Sequence, residues 1–449
     1  MKIARFTGVT AGVVSLLLAA TGANAADYLI GVKGGKMKGL DAKVSAAGGT
    51  LKHSFPFGIA VASSDAPDFA DRMGAAAGID FAIEDVGFDV ERNQPQVVFE
   101  MDAGFPPNSG DDDFLFDLQW GHNYVGAQQA WNNGHRGQGV VVAVLDGGYD
   151  LDHPDLAPNI IGAADMTGQG IDYNTTCPGD PFSHGTHVAG TIAAADNAFG
   201  TIGVAPEAHL LLVKVLQENE FCSGSGSFGD IIAGIVYATD AGAHVINMSL
   251  GAAIPRIGNK GDNSIISLFQ NAVKSAINYA HSNGTTVVVA AGNDAADMDG
   301  GDRSTVQFNG GLAKSVSISA LAPENWAGNG GNVPLDPAGY TNFGTSGVDF
   351  GAPGGDFDYP GNELCTVAGI TRPCWVLDFV FSTGNGTWYW SVGTSMASPH
   401  AAGVAALIIS ETGDSDPAHV IREMRKRATD AGKPGRDDVY GHGIANSGN

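Results

Sequence analysis

The chain has 449 residues, of which 43% are apolar, only 16% are charged and 65 are glycine. That length supports a large core and more than one folding unit, and low charge with abundant glycine points to tight turns and close backbone packing rather than disorder. A net charge of −25 argues against a nucleic-acid partner, because phosphate binding needs clustered Lys and Arg.

Taken in chain order, residues 1–25 read as a signal peptide. Lys2 and Arg5 form a basic start, an apolar run follows from about Gly8 to Ala20, and Ala23-Asn24-Ala25 is a small-x-small cleavage site. The apolar run is short for a membrane span, so the expectation is a secreted protein with no membrane attachment once this segment is removed. Four cysteines fit an oxidising compartment. Three connectivities are open to them; the expected pairs are Cys177 with Cys222 and Cys365 with Cys374.

Residues 26–93 read as a small α+β unit, with strands at 28–32, 57–62 and 81–90 and a helix at 68–77. Residues 94–113, with Pro95, Pro106, Pro107 and the run SGDDD, have the composition of an exposed, cleavable linker. From residue 114 to 449 continuous apolar runs alternate with helical patterns. The runs at 139–145, 210–216, 245–248, 286–290 and 316–320 read as parallel strands buried on both faces. Helices are expected near 186–195, 230–241 and 265–282. This alternation predicts an α/β fold with a doubly wound parallel sheet, whose site lies beyond the carboxyl ends of the strands. Near the end, Arg422 to Arg427 reads as the cationic end of a C-terminal helix.

Three segments carry chemistry. VVAVLDGGYDLDHPDL sets Asp146 at the end of a buried strand, HGTHVAGTIAA sets His184 at the mouth of a helix, and GTSMASPHAAGVAAL sets Ser395 at the start of another. A serine hydroxyl is a weak nucleophile that needs a base, and the base needs a partner to fix its tautomer and stabilise its charge. Each residue alone is unremarkable in a fold of this kind, and their joint occurrence is what points to nucleophilic catalysis.

These segments, in the order Asp, His, Ser, resemble the active-site signatures of the subtilisin family. The resemblance continues through NMSLG at 247–251, VVVAAGND at 287–294, YTNFGTSGVDFGAPG at 340–354 and YGHGIAN at 440–446. It implies a serine endopeptidase with Asp146, His184 and Ser395 as triad and Asn293 as the oxyanion-hole side chain. It also implies that Ser249, Leu250, Gly251, Ala290, Ala291 and Gly292 flank the primary specificity pocket, with the substrate adding as a strand to the first of these segments. With Gln307 near the pocket base, broad specificity with an apolar lean is expected for its polypeptide substrates.

The loop ADNAFGTIGVAP matches the family's calcium loop. Its ligands would be Asp155, the side chain of Asn197, the carbonyls of Ala195, Phe199 and Thr201, and Asp113 as a further carboxylate, all hard oxygen donors. His187 stands at H-x-x-H spacing from His184 but lacks the glutamate of H-E-x-x-H, and it reads as a packed residue, so no catalytic metal is expected. Residues 26–93 resemble the family's propeptide, a small ferredoxin-like domain that inhibits the enzyme until removed, with maturation falling within 92–117 of a protein expected to be monomeric. Two departures stand out. Gly147 replaces the usual Ser or Thr after the aspartate, and Asn309-Gly310 replaces a proline-containing segment near the pocket. The competing functions are a catalytically silent binding module, disfavoured by the intact triad, and an esterase or transacylase, disfavoured by the strand-adding cleft.

Overall fold

A computed structural model describes residues 25–90, 96–98, 113–251, 253–255, 260–300, 305–308, 311–331, 333–358 and 361–448. Residues 1–24 of the expected signal peptide, most of the expected linker and the Asn309-Gly310 departure therefore lie outside the described residues, as does the side chain of Gln307.

The N-terminal unit runs β1 (Ala26–Val32), α1 (Leu40–Ala47), β2 (Gly49–Ser54), β3 (Ile59–Ser64), α2 (Phe69–Gly74) and β4 (Ile79–Glu84). Its antiparallel sheet has the order β2-β3-β1-β4, the β-α-β-β-α-β arrangement called ferredoxin-like. Alternate residues along the strands leave opposite faces. Tyr28 and Ile30 meet Val44, Phe69 and Met73 beneath the two helices. Leu29 and Val61 face the other way and join the core of the larger domain. The stretch expected as one strand at 81–90 divides. β4 stays in this sheet, whereas β5 (Gly87–Val90) crosses to the larger domain, and β6 (Gln96–Val98) follows it there.

The larger domain is built on a sheet whose main strands are β7 (Val141–Asp146), β8 (Ile160–Asp165), β9 (His209–Lys214), β12 (Val245–Met248), β13 (Thr286–Ala290), β14 (Ser315–Pro323), β15 (Leu335–Pro337) and β16 (Phe350–Pro353). A shorter ribbon, β10 (Leu216–Glu218) and β11 (Gly224–Ser227), follows β9. The order is β15-β14-β13-β12-β7-β9-β8, with β16 also paired to β14, and every pairing is parallel except that of β15. Val142 and Val144 enter the core on one face, and Ala143 and Leu145 enter that on the other. Burial on both faces is why these strands read as unbroken apolar runs.

Helices α3 (His184–Ala193) and α6 (Thr394–Thr412) cover the first face. Helices α4 (Phe228–Asp240) and α5 (Lys260–Ser282) cover the second. A final hairpin, β17 (Val380–Thr383) and β18 (Trp388–Ser391), precedes α6, and α7 (Pro417–Arg427) closes the chain with its basic end bonded through Arg427 to Glu411 and Glu423. The chain builds β8 and β9 on one side of β7 and then turns to β12 on the other, so the topological switch falls at the carboxyl end of β7, where Asp146 lies. Cys177–Cys222 and Cys365–Cys374 are the two disulfides.

Candidate active site

Asp146 is the last residue of β7, and its carboxylate is 1% exposed. Its Oδ1 accepts from the N–H of Gly147 at 2.8 Å, and Nδ1 of His184 stands 2.8 Å from Oδ1 and 3.0 Å from Oδ2. The approach is fixed by the start of α3. Ser183, its N-cap, accepts from the Thr186 N–H and donates through Oγ to the carbonyl of Gly148 at 2.9 Å. The Thr186 hydroxyl accepts from the Asp150 N–H at 2.9 Å. Capping therefore does two jobs here: it satisfies helix N–H groups and ties the His184 helix to the turn after Asp146.

Ser395 lies in the first turn of α6 and faces the same cleft as Asp146, His184 and Asn293. Pro399 lacks the N–H that would bond the Ser395 carbonyl within the helix. That carbonyl instead accepts from the Ser249 hydroxyl at 2.8 Å, while Ser395 Oγ donates to the Ser249 carbonyl at 3.1 Å. The Ser395 hydroxyl is thus held by Ser249, not by His184. Asn293 Oδ1 accepts from both N–H and Oγ1 of Thr394, at 2.9 and 2.8 Å, which turns its NH₂ group to the open side. Gly292 donates to Thr394 Oγ1 at 3.1 Å, and Asn342 holds the same loop through the Ala291 carbonyl and the N–H groups of Asp294 and Ala296. Thr394 and Asn342 sit inside two of the quoted motifs, yet their supporting roles have no signature of their own in the sequence.

The predicted pocket segments reach the site unequally. Ser249 touches Ser395, and Gly292 is tied to Thr394, while Leu250, Ala290 and Ala291 are buried. Gly251 is part-exposed. The cleft wall includes residues the sequence did not mark, Tyr173, Leu216, Glu218 and Gly224, together with the disulfide residue Cys222. The chain's own β5 pairs with β11 in this cleft, Val90 opposite Gly224 and Phe88 opposite Gly226, with the Phe88 ring 5.4 Å from that of Phe228. A GSGS stretch is simply too common a composition to be singled out.

His187 is fully buried, its Nε2 is 3.2 Å from the Tyr389 carbonyl, and burial pushes it down to about 3, so it is neutral. Among the described residues, the metal-type side chains that converge are Cys177, Asp180 and Cys222, and the two cysteines are bonded to each other.

The loop at 195–201 packs against Asp155 and Asp113. Asp155 Oδ2 accepts from the N–H and hydroxyl of Thr201, each at 2.8 Å, and from Trp388 Nε1 at 2.9 Å; its buried Oδ1 has no hydrogen-bond partner. Asp113 Oδ1 accepts from the N–H groups of Asn197 and Phe199, and Ala195 donates to the Asp155 carbonyl at 2.7 Å.

A strand-end aspartate joined to a helix-mouth histidine, beside a serine at a helix start and an amide donor, defines the class: a serine hydrolase on a parallel α/β sheet. Residues 137–443 match the model of the Subtilase family. The chain is 34% identical over 336 residues to Subtilisin Savinase of Lederbergia lenta, covering 74% of this chain and 97% of that protein. It is equally similar to M-protease of Shouchella clausii (strain KSM-K16), covering 69% of it. Among solved structures, proteases from Pseudoalteromonas arctica PAMC 21717 superpose with a TM-score of 0.56 at 31% identity, over 76% of this chain and 98% of theirs. Fervidolysin from Fervidobacterium pennivorans shares the fold, with a TM-score of 0.65 at 24% identity over 96% of this chain and 61% of that one. The chain belongs to the subtilase family and is a serine endopeptidase of the subtilisin type.

Proposed function

We propose that this chain is the precursor of an exported endopeptidase that cuts polypeptides through an acyl-enzyme formed on Ser395. His184 takes the hydroxyl proton as Ser395 attacks the peptide carbonyl. Asp146 holds the imidazole by Nδ1 and stabilises its charge. The Asn293 NH₂ and the Ser395 N–H receive the developing oxyanion. His184 then returns the proton to the leaving amine, and water completes the cycle. The observation that carries this reading is the bonded His184–Asp146 pair at 2.8 Å in one cleft with Ser395 and Asn293. For Ser395 to react, its hydroxyl must swing from the Ser249 carbonyl to His184, a tightening expected when substrate arrives.

The N-terminal unit acts on this reading as the inhibitor of its own enzyme. In support, Val90 pairs with Gly224, and Gly224 and Gln96 both line the cleft, which favours a maturation bond between 92 and 96, with activity beginning once the unit leaves. Broad specificity with an apolar lean remains the proposal, supported by the apolar and glycine-rich pocket segments. Calcium at Asp113, Asp155, Ala195, Asn197, Phe199 and Thr201 belongs to the same reading, favoured by two buried carboxylates, one with a partnerless oxygen. The ion would supply positive charge that pins the loop, and no step of the chemistry passes through it. Export rests on the basic, apolar and small-residue pattern of residues 1–25; no helix among the described residues is long and apolar enough to cross a membrane.

The test is labelling with phenylmethylsulfonyl fluoride together with casein digestion, comparing the wild type with Ser395→Ala. Labelling and digestion by the wild type alone are expected. A wild type that does neither ends the proposal.

A further inference from the structure

The main chain of Glu218 is clamped by one side chain. Gln169 Oε1 accepts from the Glu218 N–H at 2.9 Å, and Gln169 Nε2 donates to the Glu218 carbonyl at 2.7 Å. The buried carboxylate is held as firmly. One oxygen accepts from the Gly148 N–H at 2.5 Å, and the other is bonded to the buried ammonium of Lys214. Gly148 is held from its other side too, because its carbonyl accepts at 2.9 Å from Ser183 Oγ, the cap of the helix that carries His184. A single residue, two places after Asp146, thus joins β10 to α3. Lys214 belongs to the same assembly: it lies opposite Asp146 in the β7–β9 pairing, and the next residue, Val215, donates to the Asp146 carbonyl at 2.8 Å.

From this chain of bonds we infer that Glu218 is a positioning residue for Asp146. Its own bonds go to the turn, not to the nucleophile or the base. It fixes the stretch whose Gly147 N–H is bonded to Asp146 Oδ1 at 2.8 Å, and with it the approach of that carboxylate to His184 Nδ1. The inference rests on the protease reading above and deepens it. A buried ion pair holds its geometry when further hydrogen bonds use its remaining capacity, and here the Gly148 N–H does so. Misplacing a reacting group by about 1 Å costs on the order of 10²-fold in rate, so a loosened turn is felt at the proton transfer. Glu218 also stands where a residue with a hydroxyl at position 147 would go. A Cβ on Gly147 would lie 2.7 Å from Glu218 Oε1, and beyond its chain neighbours the next nearest atom, 3.9 Å away, is also of Glu218. Carboxylate and hydroxyl are therefore alternatives for holding one turn.

Three variants of the processed enzyme test it: Glu218→Ala, Glu218→Gln, and Glu218→Ala combined with Gly147→Ser. Each is assayed on one peptide substrate, with kcat expressed per site titrated by phenylmethylsulfonyl fluoride, so that unfolded protein is not counted. Glu218→Ala is expected to lower kcat per site about tenfold, with KM within about twofold of wild type. Glu218→Gln, which keeps an oxygen for the Gly148 N–H, should lose about threefold. Gly147→Ser should restore most of the loss in the Glu218→Ala background, where the space is free. Fewer titratable sites with kcat per site unchanged would make Glu218 merely structural and overturns the inference, as does a loss that Gly147→Ser leaves uncorrected. Should Glu218→Ala yield no titratable enzyme, Glu218→Gln decides: a fall in kcat per site supports the inference, and an unchanged value overturns it. A wild type that neither titrates nor cuts the peptide overturns the protease reading instead.

Discussion

Glu218 occupies the space that a side chain on Gly147 would need: a Cβ at position 147 would stand 2.7 Å from Glu218 Oε1. That oxygen accepts from the Gly148 N–H at 2.5 Å, and the other carboxylate oxygen is bonded to Lys214, which is fully buried at the end of β9 directly across from Asp146. The missing hydroxyl at 147 is therefore matched by a carboxylate arriving from β10. The turn that presents Asp146 is held through the N–H groups of Gly147 and Gly148, bonded to the carboxylates of Asp146 and Glu218, not by a hydroxyl at position 147.

Gly147→Ala consequently destabilises the protein. Overpacking at a well-filled site costs about 1–3 kcal/mol, read as a lower denaturation midpoint in urea. A variant as stable as wild type would show that Glu218 yields freely.

Asn293→Ala removes the side-chain donor while leaving Ser395 and His184 in place. A fall of about 10²- to 10³-fold in kcat is expected, the magnitude for such a donor in a subtilisin, with KM little changed. A variant retaining most of its kcat would remove Asn293 from the oxyanion site.

Asp85 gives the N-terminal unit a pH-dependent hold. Its carboxylate accepts from the N–H groups of Phe228 and Gly229, at 3.2 and 2.8 Å, at the start of α4. Burial, with Asp230 and Asp27 nearby, raises it from 3.8 to about 7; Asp27 is itself bonded to Lys52. Burial likewise raises Asp230, to about 6. A carboxyl raised on association binds more protons in the associated state, so its contribution is fully present below about 3.8 and is lost as pH climbs through 7. After processing, the N-terminal fragment should copurify with a C-terminally tagged chain at pH 5 and separate at pH 9. Asp85→Asn, which stays uncharged, should extend retention to pH 9. Equal retention of the wild type at both pH values would refute this.

Chelation tests the loop around Asp155. EDTA should lower the melting temperature and speed autolysis, with recovery on adding calcium. Asp155→Asn should melt lower and lose most of the response to calcium. Melting that ignores EDTA in the wild type would remove the ion from the proposal.

The sequence by itself determined the α/β class, the strands at 141–146, 209–214, 245–248, 286–290 and 315–323, and the short motifs that carry Asp146, His184, Ser395 and Asn293, while β8 at 160–165 went unread. Parallel strands buried on both faces must be continuously apolar, and reactive groups at strand ends and helix starts sit in short, local motifs. The expectation of one strand at 81–90 failed because a turn divides it, and which sheet each half joins depends on partners more than a hundred residues away. Helix α1 and strand β2 went unread, since LDAKVSAA and GTLKHS have weak periodicity and are ordered by packing against β3 and α2. Only the tertiary structure decided that Ser249 holds both the hydroxyl and the carbonyl of Ser395, that Glu218 explains Gly147, and that the chain's own β5 and β6 lie on the edges of the cleft. Those are contacts between side chains and backbone far apart in sequence, and no local pattern records them.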